Sequence, residues 1–165
     1  MRILLIADNI AELDSLIAFG DLFSTDSCNE LTAIVSLGFT KEHHNVPVYS
    51  LYLDESCDWD EYSAKDMIKR IDPIVSYEKP DLIVVGGASP AALAGVYSAF
   101  SHKVPAGYMN LKAARFDDMN NAGQSENEEL IIRLSKYCLL TSEQQKKYSG
   151  NLPFSDKEIF ITSIA

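Results

Sequence analysis

Residues 82–101, "LIVVGGASPAALAGVYSAFS", carry no charge over 20 positions. The backbone of such a stretch has to satisfy its polar groups away from water, inside a membrane or inside the protein. Twenty residues meet the length of a membrane span, but Gly86, Gly87, Ser89 and Pro90 interrupt the run near its middle, and lipid-facing backbone tolerates such a break poorly. The reading left is a buried strand ending in two glycines, a polar turn, and a helix opened by Pro90, since the first helical turn accepts proline. Ala91, Leu93, Ala94, Val96, Tyr97 and Phe100 make that helix nearly all apolar, which predicts cover on several sides. A strand apolar at every position beside an apolar helix belongs in a parallel sheet with both faces covered.

The rest of the chain repeats this alternation. Residues 2–7 are a continuous apolar strand, followed by Leu13, Leu16, Ile17 and Gly20 at helical spacing. Residues 31–36 and 48–53 read as strands, and the polar "LGFTKEHHNVP" between them has little room for a helix. Over residues 62–77, Met67, Ile68, Ile71, Ile74 and Val75 keep a helical period, with Lys65, Lys69 and Arg70 on the surface and Pro73 set to kink or restart the helix. "PDLIVV" and "VPAGYMN" are strands on either side of the apolar helix, and "LKAARFDDMNNAGQ" is a long loop. Ser125 is the expected N-cap of the next helix, with Glu126, Glu128 and Glu129 in its first turn and Leu130, Ile131, Leu134 and Tyr137 on its buried face. "CLLT" is a short strand, "SEQQKKYSG" a helix ended by Gly150, and "EIFIT" the last strand. No repeat or linker interrupts the pattern, so the expectation is one domain over residues 1–165: a Rossmann-like α/β three-layer sandwich with a mostly parallel sheet.

Charge and cysteine narrow the function. With 14 basic against 24 acidic side chains, a net of −10, the chain lacks a general basic surface for phosphate backbones, which argues against nucleic acid as a partner. Cys28, Cys57 and Cys138 are odd in number and widely spaced, which suits a reducing cytoplasm, with Cys138 in the apolar "YCLL" as a core residue. The amino-terminal apolar run stops at Asp8, too short for a signal peptide. His43 and His44 adjoin in a polar loop and His102 ends a helix, with no spaced Cys, Asp or Glu completing a metal set. No metal or cofactor is expected. Ser89 lacks a nucleophile-elbow setting and a paired histidine, so a hydrolytic triad is not supported.

In sheets of this kind, ligands sit beyond the carboxyl ends of the strands. The candidate binding residues are therefore Asp8, Asn9, Gly86, Gly87, Ser89, Asn110, Lys112, Arg115, Asn127 and Ser142. None supplies an evident catalytic acid, base or nucleophile. "GGASPAA" has neither the dinucleotide fingerprint nor a Walker lysine, so its glycines read first as a tight strand-to-helix turn.

At a few points the chain resembles the receiver domains of response regulators: Asp8, Asp54, Ser89 and Lys112 each follow a strand. The connection before Val48 is too short for the helix that fold requires there, and residues after Ala113 have no counterpart. The closer resemblance runs from Pro80 onward. "PDLIVVGGASPAALAGVYSAFSHKVPAGYMN", "NEELIIRLSKYCLLTSEQQKKY" and "EIFITS" resemble the amino-terminal domain of the non-phosphorylating UDP-N-acetylglucosamine 2-epimerases, one half of a glycosyltransferase B-type fold. In that family the strand after Pro-Asp ends in Gly-Asp, the next ends in His-x-Glu-Ala-Gly, and the following helix is preceded by Pro-Glu-Glu-x-Asn-Arg. Here Gly86 matches, Gly87 replaces the acid, Tyr108 and Asn110 stand for the histidine and glutamate, and Gly123, Gln124 and Ser125 replace Pro-Glu-Glu. Asn127 is retained beside Glu128 in place of arginine, and the family's Gly-Thr-Arg-Pro-Glu turn has become "ADNIAE".

The resemblance implies a catalytically degenerate relative, inactive alone, serving as a binding or interaction module in nucleotide-sugar or surface-polysaccharide metabolism. Its partners would be a nucleotide sugar and either a second copy of itself or a separate protein supplying the carboxyl-terminal half. The alternatives are one half of a split sugar-nucleotide epimerase or glycosyltransferase, in which Asn110, Lys112, Arg115 and Asn127 contact sugar or phosphate, and a receiver phosphorylated at Asp54.

Overall fold

The computed structural model describes residues 1–23, 29–37, 41–53, 64–110, 122–141 and 158–162. The first strand, β1 (Arg2–Ala7), is buried at every position after Arg2. Its side chains divide alternately between two cores, as strand geometry requires. Ile3, Leu5 and Ala7 pack with Leu13, Leu16, Ile17 and Phe19 of α1 (Ile10–Phe23), whereas Leu4 and Ile6 pack into a second cluster on the opposite face. That second cluster holds Met67, Ile71 and Val75 of α2 (Ala64–Glu78), the small residues of α3 (Pro90–His102), and Ile131 and Ile132 of α4 (Ala122–Leu134). The sheet is thus the middle of three layers.

The remaining strands are β2 (Glu30–Leu37), β3 (Glu42–His43), β4 (Val46–Leu53), β5 (Leu82–Gly86), β6 (Ala106–Met109), β7 (Tyr137–Thr141) and β8 (Glu158–Thr162), ordered β3-β4-β2-β1-β5-β6-β7-β8. All pair in parallel except the short β3, which runs antiparallel to β4. The sequence reads β2 and β4 with no helix between them, and here that stretch carries the β3 hairpin. Its turn places His44 and Asn45 at φ +50° and +62°, the positive pair of a tight two-residue hairpin. Residues 82–101 divide into β5, a turn and α3, and no helix among the described residues is long and apolar enough to cross a membrane.

The strand order overturns the receiver alternative. Receivers place the third parallel strand beside the first, on the side away from the second. Here β4 lies outside β2, so β2 separates it from β1, and β5 takes the place beside β1. Asp54 itself lies outside the described residues.

Three local expectations change. Ser125 falls inside α4, which begins at Ala122, and so is not its N-cap. On α4, Ile131 and Ile132 are buried and Leu134 packs half-buried against the core, so that Ile131 and Leu134 stand as expected, whereas Leu130 is exposed at 49% and Tyr137 already lies in β7. The helix is rotated by about one residue from the periodic reading, because Ile132 is also apolar and either phase offers a hydrophobic stripe. Third, α2 runs unbroken through Pro73. Met67, Ile71 and Val75 face the core while Pro73 is exposed, so the carbonyl that loses its helical partner meets water. As its apolar composition predicts, α3 is covered on several sides, by the sheet, α2 and α4, and only a strip with Tyr97 at 48% and Phe100 at 65% stays exposed. The helix "SEQQKKYSG" and the loop before Ala122 lie outside the described residues, while Cys138 is buried, as its apolar setting implies.

Candidate functional site

The chain reverses its direction of travel across the sheet between β1 and β5, which are neighbours although β2 to β4 intervene in sequence. Neighbouring connections leave toward opposite faces at such a point, opening a crevice beyond the strands' carboxyl ends. Asp8 leaves β1 and Gly87 leaves β5 at that crevice.

Asp8 is 8% exposed and held from three sides. The Ser36 hydroxyl donates to its carboxylate at 2.9 Å, the Leu37 N–H donates to its carbonyl at 2.7 Å, and the Ser89 hydroxyl, in the turn after β5, stands close enough to favour its ionised form. Ser89 also caps α3, its Oγ accepting from the Ala92 N–H at 3.1 Å, the usual service of an N-cap serine. One buried hydroxyl therefore lies between the start of α3 and the end of β1.

Glu12 completes the group. Asn9 caps α1 by accepting the Glu12 N–H at 3.0 Å, and the Glu12 carboxylate reaches back to accept the Asp8 N–H at 2.9 Å, a capping box shifted by one residue. Gly87, at φ +68°, faces this carboxylate: a Cβ there would lie 3.6 Å from Glu12 Oε1. Burial pushes Asp8 up to about 6, against the lowering pull of Ser89 and Ser36. Burial first and the Asp8 charge second push Glu12 up to about 7, against the lowering bond from the Asp8 N–H. Because the Asp8 charge raises Glu12, the two carboxyls titrate as a pair.

A second polar group lies one strand further. Glu128 of α4 accepts from the Tyr108 hydroxyl at 2.8 Å and from Asn110 Nδ2 at 2.9 Å, while Asn127 Nδ2 lies 3.4 Å from the Ala88 carbonyl. The turn carrying Ala88 also donates the Gly87 N–H to the Met109 carbonyl at 3.1 Å. The two groups thus meet at the turn after β5.

Of the residues chosen from sequence, Asp8, Gly87 and Ser89 gather with Glu12, and Asn110 and Asn127 gather with Glu128. Asn9 is engaged as a helix cap, and Gly86 is the last residue of β5. Lys112, Arg115 and Ser142 lie outside the described residues. Sequence reasoning missed Glu12, Ser36 and Glu128. Glu12 was findable as the third helical residue after an Asn cap, while Ser36 and Glu128 depend on tertiary placement. The histidines need a correction too: α1 brings Asp14 to them, its Oδ1 lying 2.7 Å from His43 Nε2 and 3.0 Å from His44 Nε2.

The order of the parallel strands, the two covered faces and the crevice at the β1/β5 switch define a Rossmann-like α/β unit. No protein-family model matches the chain, and no curated protein matches it. Among solved structures, it is similar to the UDP-GlcNAc 2-epimerase from Methanocaldococcus jannaschii, at 20% identity and TM-score 0.69 over 98% of this chain and 45% of that one. The Neisseria meningitidis enzyme, solved bound to UDP-GlcNAc, gives 16% identity and TM-score 0.72 over 98% and 46%. A sucrose-phosphate synthase structure from Thermosynechococcus elongatus gives 9% and 0.60 over 98% and 87%. The chain spans less than half the length of these epimerases and has the fold of one half of their glycosyltransferase B-type arrangement.

Proposed function

We propose that this chain is a sugar-nucleotide-binding unit, related to the amino-terminal domain of the UDP-N-acetylglucosamine 2-epimerases. It serves as a cytoplasmic binding or interaction module in nucleotide-sugar or surface-polysaccharide metabolism and does not turn substrate over alone. The observation that carries this reading is the convergence of two polar groups, Asp8–Glu12–Ser89 and Tyr108–Asn110–Glu128, on the turn at the sheet's switch point. Carboxylates and carboxamides suit sugar hydroxyls, which both donate and accept. Asn110, in the place of the family's glutamate, can hydrogen-bond but cannot take up a proton.

The test is a thermal-shift titration with UDP, UDP-GlcNAc and free N-acetylglucosamine. A ligand that binds only the folded state at a hundredfold excess over its Kd adds about 2.7 kcal/mol of stability. UDP-GlcNAc is expected to raise the Tm of the wild type and to do so much less for Asn110→Ala. The absence of any shift with all three would overturn the reading.

The raised Glu12 favours a second reading, one half of a split epimerase or glycosyltransferase completed by a partner chain, because a carboxyl titrating near 7 is suited to proton transfer. Under it, epimerisation followed by NMR should appear when an epimerase carboxyl-terminal half is added, and should be lost in Glu12→Gln. No product in that mixture would exclude it.

A further inference from the structure

At the other end of the sheet, where β2 and β4 begin, lies a group that the crevice does not use. Asp14 sits in the second turn of α1, and the β3–β4 hairpin carries His43 and His44. Both imidazole Nε2 atoms approach one oxygen, Asp14 Oδ1, at 2.7 and 3.0 Å. The three ligating atoms lie within 4.8 Å of one another. We propose that Asp14, His43 and His44 form a binding site for a first-row transition-metal dication, zinc by its donor set.

Adjacent residues on a regular strand point to opposite faces. These two converge because His44 turns to positive φ, followed by Asn45, so the hairpin aims both rings at α1 and packs them edge to face, with centroids 4.4 Å apart. Two imidazole nitrogens and a carboxylate oxygen suit zinc, whereas calcium and magnesium take oxygen ligands. Around a tetrahedral ion with bonds of about 2.0 Å, ligand atoms stand about 3.3 Å apart. The two nitrogen-to-oxygen separations therefore need to open by about 0.3 to 0.6 Å and the two Nε2 atoms, within 4.8 Å of each other, to settle at the same spacing, adjustments within the reach of side chains whose exposures are 24%, 63% and 49% for His43, His44 and Asp14.

An open cavity of about 540 Å³ adjoins the group, with Asp14 and His44 on its wall, Asn29 and Asn45 nearby, and Ile17 and Val46 among its apolar residues. Three protein ligands beside such a cavity leave the fourth position of the ion open to water or to a small anionic or imidazole-like ligand. The excess of acidic residues, 24 against 14 basic, raises the local concentration of dications around the chain.

Calorimetric titration of the whole chain, stripped of metal with a chelator, tests the site. Zinc is expected to bind at one equivalent with a Kd of micromolar or below in the presence of excess magnesium. His44→Ala and Asp14→Asn should each weaken it at least tenfold, and His102→Ala should leave it unchanged. Cobalt in place of zinc should give visible absorption that His44→Ala abolishes. His44 stands on an exposed turn, so its variant reports on binding even if Asp14→Asn disturbs the fold. A wild type that takes up no zinc beyond its response to magnesium, or a His44→Ala variant that binds as tightly, overturns the proposal.

Discussion

Glu12 is held in the crevice by a bond that needs only an acceptor, the Asp8 N–H at 2.9 Å, yet it sits beside a buried Asp8 where a second negative charge is unfavourable. The two requirements separate on substitution. Both carboxyls have folded-state pKa values raised above their ordinary ones, to about 6 and about 7. The folded state therefore binds more protons than the unfolded one between pH 4 and pH 7, and stability falls as pH rises through that window. A shift of about two units corresponds to roughly 3 kcal/mol, so urea unfolding should give a stability about 2 to 3 kcal/mol lower at pH 8 than at pH 5. Glu12→Gln keeps an acceptor for the Asp8 N–H and removes the charge. It should flatten this dependence and leave the variant more stable than wild type above pH 7. A variant whose pH profile overlays that of the wild type would show that Glu12 does not titrate in this window.

At the scale of elements, what sequence disclosed follows from how strongly each segment's pattern depends on distant partners. β1 is apolar at five successive positions and buried at all of them, and the glycine-to-proline punctuation at residues 86–90 fixes the boundary of β5 and α3 without tertiary help. α4 was legible as a helix but not in its rotation, since Leu130, Ile131, Ile132 and Leu134 offer two stripes. The choice is made by the sheet, where Glu128 reaches Tyr108 and Asn110 only in the observed phase. The candidate site was half legible for the same reason. The crevice and the Glu12 capping contact follow from local pattern, whereas Ser36, Glu128 and Asp14 become visible only when strands and helices distant in sequence meet. The rotation of α4 has a measurable consequence. Ile132 is 2% exposed and Leu130 is 49% exposed, so Ile132→Ala should cost about 2 to 5 kcal/mol and Leu130→Ala about 0.5 or less. Comparable losses in chemical denaturation would place the face where periodicity alone put it.

For the molecule as a whole, the decisive quantity is the net charge of −10. Two ion pairs, Arg133 with Glu129 at 2.7 Å and Lys69 with Asp66 at 3.3 Å, lie within single helices, and Lys136 reaches Glu158 at 3.6 Å between elements; all involve exposed side chains, and pairs of that kind contribute little. Repulsion among the excess carboxylates is spread over the surface and acts at longer range, so it outweighs those pairs at low ionic strength. Raising salt from about 10 mM to about 150 mM shortens the screening length from about 30 Å to about 8 Å. That change removes repulsion between distant charges and leaves contact pairs less affected. The Tm at pH 7.5, followed by calorimetry with a chelator present so that no dication contributes, should therefore rise with sodium chloride. For a chain of this size, about 1 kcal/mol of relieved repulsion corresponds to about 2 to 4 °C. The sign separates the two accounts: a Tm that falls with salt would mean that specific attractive pairs outweigh the general repulsion. A rise of the same size in Glu12→Gln would place the salt effect on the surface, away from the buried Asp8–Glu12 pair, because bulk ions screen buried charges far less than exposed ones.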